Sequence, residues 1–142
     1  MKKVKLVAML CVLLATMSCQ GQNSEIKEVK KVITAFSKAG DTNNVAELNK
    51  YLDENYRVVM NRLFGSTEVS VMPKAVFVEK IKTKEFGGDN RELTIGNIVI
   101  NGSSASAKVT FKGTKITFVS LITLIKSVEG DWKLMSETPM VM

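Results

Sequence analysis

The second half of the chain is a run of strand-like segments, and this pattern constrains the fold more than any other feature. From Ser104 to Lys112, polar and apolar residues alternate, as in a strand with one buried face and one solvated face. Asn101-Gly102 before this segment and Glu129-Gly130-Asp131 further on are hairpin signals. We therefore predict four consecutive antiparallel strands, at residues 93–100, 104–112, 115–126 and 132–137.

Residues 24–84 combine helical and strand patterns. Apolar residues recur every three or four positions from Ser24 to Lys38, which predicts an amphipathic helix with Ser24 as its N-cap. A shorter helix is expected from Asn44, whose side chain can cap it, and a third from Pro73 to about Lys84. Two short strands are predicted between the second and third helices, at residues 56–63 and 68–71. The order of elements indicates a single α+β domain.

The N-terminus has the layout of an export signal. Three lysines in the first five residues precede an apolar run from Leu6 to Met17, shorter than the roughly 20 residues a membrane-spanning helix needs. Thr16-Met17-Ser18-Cys19 resembles a relaxed lipobox, so we expect cleavage before Cys19 and lipidation of that cysteine. Simple secretion, with Cys19 a chance residue, is the alternative. The expected boundaries are a signal peptide at 1–18, a lipidated cysteine and short tether at 19–23, and a domain at 24–142.

The residues after Cys19 bear on the compartment. Gln20 is not the Asp that would resemble an inner-membrane retention signal, and Gln22 to Ser24 lack the acidic run associated with surface export in some bacteria. We therefore expect a lipid anchor in a bacterial outer membrane, with the domain facing the periplasm. Removing residues 1–18 lowers the net charge from +6 to +3, because that segment holds three lysines and no acid. A mildly basic exported domain is a poor candidate for binding nucleic acid.

Two segments resemble the nuclear transport factor 2-like superfamily. The first helix up to Gly40, followed by the polar corner Asp41-Thr42-Asn43-Asn44, is similar to the opening helical hairpin of that superfamily. The closing hairpin from Leu121 to Ser136, with Gly130-Asp131-Trp132-Lys133-Leu134, resembles its last two strands. The resemblance covers residues 24 to about 138 and points to the branch named putative lumazine-binding, with SnoaL-like relatives. It implies a cone-shaped α+β fold in which N-terminal helices close over a curved antiparallel sheet, with a pocket between them.

The resemblance does not select a function by itself. Steroid isomerases and polyketide cyclases of the superfamily use a pocket histidine or carboxylate as a base, whereas this chain has no histidine. Its carboxylates are expected mainly on helix faces, at turns and at strand ends. Asp53 and Glu68 are the acids nearest a predicted pocket mouth, and we interpret them as a turn residue and an exposed strand residue. No catalytic residue, cofactor or metal ligand is therefore assigned.

Aromatic side chains are the candidates for a ligand site. Tyr51, Tyr56, Phe118 and Trp132 could meet around a cavity and offer stacking surfaces to a flat heterocycle, although core packing is the alternative role for each. The leading hypothesis is a non-enzymatic module that binds a small hydrophobic or heterocyclic ligand, or a protein. The alternatives are a small SnoaL- or ketosteroid isomerase-like enzyme with Tyr56 and Asp53 in its pocket, and a structural homodimer formed through the sheet.

Overall fold

The structure is a computed structural model that describes the backbone of residues 2–142 and the side chains of residues 21–142. Cys19, the predicted lipidation site, lies outside the residues whose side chains are described. Over the described residues, no helix combines the length and the apolar character needed to cross a membrane.

Helices lie at the start and strands at the end of the described chain, as predicted. The elements are α1 (Lys2–Asp41), α2 (Val45–Tyr51), β1 (Leu52–Asn61), a 3₁₀ turn (Leu63–Gly65), β2 (Val69–Pro73), α3 (Lys74–Lys82), β3 (Glu92–Asn101), β4 (Ser104–Lys112), β5 (Thr117–Lys126) and β6 (Trp132–Val141). The strands form one curved sheet in the order β2-β1-β6-β5-β4-β3. The β1–β6 pair is parallel and the other pairs are antiparallel. The predicted α+β class is confirmed.

Local sequence signals account for much of the helical part. Val29, Ile33 and Phe36 lie on one face of α1 and are buried against the sheet. The Asn44 side chain accepts a hydrogen bond from the Glu47 backbone N–H and so caps α2 as expected. Ser24 does not cap α1, because the helix continues on both sides of it.

β6 is longer than its sequence pattern predicts. The prediction ended this strand at Glu137, but the strand continues to Val141, which pairs with Phe118 of β5. The pairs that β6 forms with β1 end at Glu137, which lies opposite Val58. Beyond that point β6 pairs with β5, and a strand paired on one side tolerates Pro139 despite its missing N–H.

A β-bulge in β6 decides which of its side chains face the interior. Leu134 is buried, and simple alternation would next turn Ser136 inward and Glu137 outward. The register with β5 shifts after Leu134, because Met135 forms a bulge. Glu137 therefore pairs with the buried Ile122 and faces the same side of the sheet.

The core lies between the helices and the concave face of the sheet. At its centre, the rings of Phe36, Tyr56 and Phe77 contact one another, with centroid separations of 5.3–6.3 Å. At the end where the domain begins, the Trp132 indole N–H donates to the Glu25 carboxylate of α1 at 2.7 Å. This hydrogen bond ties the first turns of the domain to the start of β6.

Gly87 is the loop glycine whose substitution should be least tolerated. It has a φ of +77°, and a Cβ there would lie 2.2 Å from the carbonyl oxygen of Gly40. Gly65 has a similar φ of +82°, but a Cβ there would have nothing within 4 Å. Gly65→Ala should therefore lower the free energy of unfolding by about 1–2 kcal/mol through backbone strain alone. Gly87→Ala should cost at least ~1 kcal/mol more, because backbone must also move.

Urea denaturation of the two alanine variants against the wild type measures this difference. Equal losses of stability in the two variants would contradict the close approach of the residue 87 loop to α1.

Candidate functional site

A cavity of about 640 Å³ lies between the helices and the concave face of the sheet. Its wall is mainly apolar and includes six phenylalanine rings, from Phe36, Phe64, Phe77, Phe86, Phe111 and Phe118. Exposed residues of the wall, among them Phe64, Gly88 and Lys115, mark its opening. The volume falls within the roughly 300–1,000 Å³ that is usual for small-molecule sites.

The cavity opens at the end of the domain opposite to its first residues. α1 contacts Trp132 through Glu25 at one end of the sheet and reaches the cavity wall at Gly40. The helical rise between Glu25 and Gly40 places these two points about 22 Å apart. β5 and β6 run between the same two ends, with Phe118 and Pro139 on the cavity side.

Glu137 brings a carboxylate to this apolar wall. Its Oε1 atom accepts a hydrogen bond from the Ser120 hydroxyl at 2.6 Å, and its Oε2 atom accepts one from the Tyr56 hydroxyl at 3.2 Å. Ser120 and Tyr56 are buried, whereas Glu137 is partly reached by solvent because one side of it faces the cavity. The site is therefore a carboxylate that two buried hydroxyl groups hold in position and that is open on the side facing the cavity.

The surroundings of Glu137 shift its ionisation. Burial raises the pKa of its carboxyl above the ordinary value of 4.5, while the Ser120 hydrogen bond, the Arg91 charge and the Tyr56 hydrogen bond act in the opposite direction. Burial also raises the pKa of Tyr56 well above 10, and the adjacent Glu137 adds to that effect. Tyr56 therefore stays protonated at neutral pH and donates to Glu137.

Arg91 supplies positive charge to the same wall. Its Nε donates to Asp41 at the end of α1, and its Nη2 lies 3.3 Å from the Ser37 carbonyl oxygen. The guanidinium carbon lies 4.7 Å from the centre of the Phe111 ring, within the range of a cation–π contact. These contacts hold the guanidinium at the boundary between the cavity and a polar groove that includes Asp41.

Sequence comparison identifies the family. A family model described as "Putative lumazine-binding" matches residues 24–138. The chain belongs to this family. No curated protein matches the sequence.

Solved structures share the fold of this family member at low sequence identity. A nuclear transport factor 2-like protein of unknown function from Silicibacter pomeroyi superposes with a TM-score of 0.74 and 14% identity, over 85% of this chain and 98% of that one. A second such protein, from Shewanella baltica, gives 0.72 and 17%, over 84% and 94%. A ketosteroid isomerase-like protein from Erwinia carotovora gives 0.68 and 15%, over 84% and 98%. These likenesses confirm the predicted nuclear transport factor 2-like fold.

The structure separates the four aromatic residues predicted for a ligand site. Phe118 lines the cavity, and the buried Tyr56 lies behind it through its hydrogen bond to Glu137. Tyr51 donates its hydroxyl to Glu47 on α2, and Trp132 binds Glu25 at the far end of the sheet. Tyr51 and Trp132 are not part of the cavity wall.

The acids proposed for a pocket mouth lie elsewhere. Asp53 accepts hydrogen bonds from the backbone and side chain of Asn55 in the irregular first part of β1, so it is a strand residue and not the predicted turn residue. Glu68 is exposed. Neither residue lines the cavity. The acid at the cavity is Glu137, which lies inside β6, so the choice of Asp53 and Glu68 as the acids nearest the pocket is wrong. The local sequence did not indicate this position, because the bulge at Met135 changes which side chains of β6 face the cavity.

The ionisation of Glu137 predicts how stability depends on pH. Because its pKa is raised on folding, the folded protein holds this proton at a pH where the unfolded chain has lost it. The free energy of unfolding should therefore fall as pH rises from about 4.5 through the raised pKa, relative to Glu137→Gln, which cannot ionise. Urea denaturation of both proteins between about pH 4 and pH 7 measures the difference.

Glu129→Gln provides a control of opposite sign. Hydrogen bonds from its own backbone and from Ser127 lower the pKa of Glu129, so the wild type should gain stability relative to this variant as pH rises. A pH profile of Glu137→Gln parallel to that of the wild type would contradict the placement of Glu137.

Proposed function

We propose that the domain binds a small planar heterocycle of the lumazine type without transforming it, and that Glu137 is the polar anchor. The observation that carries this proposal is a carboxylate that faces an apolar cavity of about 640 Å³. Lumazine is a fused two-ring pteridine that carries ring N–H donors beside carbonyl acceptors. A flat ring system of this kind suits a wall rich in phenylalanine.

Glu137 retains the capacity to accept a hydrogen bond from a ligand. An ionised carboxylate offers about four lone-pair positions, and Ser120 and Tyr56 occupy two of them. A ligand N–H in the cavity would therefore find a fixed acceptor. Arg91, also on the wall, offers donors to a carbonyl next to that N–H.

The family description supports the same ligand class. The model that matches residues 24–138 is described in terms of lumazine binding, and the cavity wall carries an acceptor, Glu137, and a donor, Arg91, of the kinds that the edge of that molecule needs. The family description and the residues of the site together support this ligand class better than either does alone, because fold by itself does not select a ligand.

We also propose that the protein is a lipoprotein, anchored through Cys19 in a bacterial outer membrane and facing the periplasm. The support is the lipobox-like sequence before Cys19 and the short tether to Ser24. In such a molecule the end that carries Glu25 and Trp132 would lie against the membrane. The cavity opens about 22 Å away, which favours a ligand that arrives from water instead of from the bilayer.

A proton-transferring enzyme is the alternative, and the raised pKa of Glu137 in an apolar site is the observation that favours it. Two features make binding the better-supported function. Ser120 and Tyr56 both donate to the ionised carboxylate, which weakens it as a base. Tyr56 is also committed to Glu137 and is not part of the cavity wall, so it is not placed to stabilise an enolate. Isomerisation of a 3-oxo-Δ5 steroid by the wild type, lost in Glu137→Gln, would select the enzyme instead.

The binding proposal predicts a specific loss of affinity. Lumazine titrated into the purified protein, and followed by its fluorescence or by calorimetry, should bind saturably. Glu137→Gln should weaken binding at least about tenfold, because a hydrogen bond to a charged acceptor is lost. Glu129→Gln, an exposed change in the β5–β6 turn, should bind as the wild type does. No saturable binding, or equal affinity in Glu137→Gln, would refute the proposal.

The anchor proposal is tested on cells. Mass spectrometry of the processed protein should show a diacylated or triacylated N-terminal cysteine at position 19, and Cys19→Ala should release or mislocalise the protein. Protease added to intact cells should leave the domain uncut if it faces the periplasm. An unmodified N-terminus at any other residue would exclude the anchor, and rapid digestion would exclude the orientation.

A further inference from the structure

The loop between β1 and β2, residues 62–68, places an aromatic ring at the opening of the cavity. Phe64 is 70% exposed and is part of the cavity wall. Its ring stands edge-on to that of Phe118, with centroids 6.2 Å apart and an interplanar angle of 89°. The side of the Phe64 ring away from this contact is largely uncovered.

The backbone of this loop adopts an unfavourable conformation at two residues, one of which is Phe64. Arg62 has φ 52° and ψ 40°, and Phe64 has φ 53° and ψ 35°, so two non-glycine residues lie in the left-handed region. The Arg62 N–H donates to the Glu68 carbonyl, and the Ser66 N–H donates to the Leu63 carbonyl, both at 3.1 Å. Strain of this kind is concentrated at functional sites, ligand clamps included. Core packing does not account for it here, because the ring that it positions is mostly exposed.

The distance between Glu137 and this opening sets the size of ligand that could use both. Ile122 lies opposite Glu137 on β5, and Phe118 lies four residues nearer the open end of that strand. Four residues of strand span about 13 Å. From this spacing of the backbone positions, we expect a single ring bound at Glu137 to stop short of Phe64 and a fused ring system to extend to it.

We propose that Phe64 is a specificity-determining residue that caps the outer ring of a fused heterocycle anchored on Glu137. This inference rests on the proposed function and adds a requirement on ligand size. The outer ring of the ligand stacks in an offset geometry against the exposed part of the Phe64 ring. The cap selects fused ring systems over single rings that carry the same hydrogen-bonding edge.

Two probes that share this edge test the cap. Lumazine has two fused rings, and uracil is a single ring with the same N–H and carbonyl pattern. Phe64→Ala should weaken lumazine binding about 5- to 150-fold, which is the range for loss of one aromatic stack. The same change should leave uracil binding within about twofold, since uracil does not reach the ring. Glu137→Gln should weaken both probes.

Two further variants of Phe64 show whether the effect comes from aromatic stacking or only from the apolar volume of the side chain. Phe64→Tyr keeps the aromatic face and should bind lumazine as the wild type does, whereas Phe64→Leu keeps apolar volume and should lose most of the effect. Because Phe64 is mostly exposed, the thermal unfolding midpoint of all three Phe64 variants should stay close to that of the wild type.

The outcomes distinguish the proposed role of Phe64 from the proposed binding of lumazine through Glu137. Lumazine binding that is weakened in Glu137→Gln but unchanged in Phe64→Ala would overturn the cap and leave the proposed function standing. Equal weakening of lumazine and uracil in Phe64→Ala would also overturn it, because the ring would then act through the loop and not through stacking. A wild type that binds neither probe would overturn both proposals.

Discussion

Placing a carboxylate in an apolar cavity raises the free energy of the folded protein, and the neighbouring side chains of the site offset much of this effect. Glu137 faces a wall of phenylalanine rings, where a lone charge would be strongly destabilised. Hydroxyl donors from Ser120 on β5 and Tyr56 on β1 bind its two oxygens, one from each neighbouring strand. Because β6 lies between β1 and β5, both donors can reach Glu137 and stabilise its carboxylate in the apolar wall.

A second charged contact connects the cavity to the helices. Arg91, just before β3, pairs with Asp41 at the end of α1 and lies over the Phe111 ring of β4. Its charge acts against the effect of burial on the pKa of Glu137. The same guanidinium thus fixes α1 against the sheet and tunes the acid inside the cavity. A change at either residue of this ion pair would alter both the packing and the electrostatics of the wall.

The two ends of the domain have different chemistry. At the end where the domain starts, Glu25 accepts hydrogen bonds from Lys126 and Trp132, and this polar cluster closes the fold. At the other end, the loop with Phe64 and the loop with Gly87 leave the cavity open. The first residues of the domain and the opening of the cavity therefore lie at opposite ends of the sheet.

The sequence by itself determined the elements whose signals are local. The alternation in residues 104–112 predicted β4, Asn101-Gly102 predicted the turn before it, and Asn44 predicted the cap of α2. The nuclear transport factor 2-like fold was expected from a resemblance, carried by the opening helix with its polar corner at Asp41-Thr42-Asn43-Asn44 and by the closing hairpin from Leu121 to Ser136. Phe118 was one of four aromatic residues proposed for a ligand site, and the structure places it on the cavity wall.

Only the tertiary structure decided where Glu137 points and what its neighbours are. Glu137 pairs with Val58 of the distant strand β1 and with Ile122 of β5, and the bulge at Met135 is visible only in the pairing with β5. Without the bulge the same residues alternate so that Glu137 faces outward. Side-chain direction in a strand reverses with each one-residue shift of register, so a local pattern could not assign this acid to the cavity.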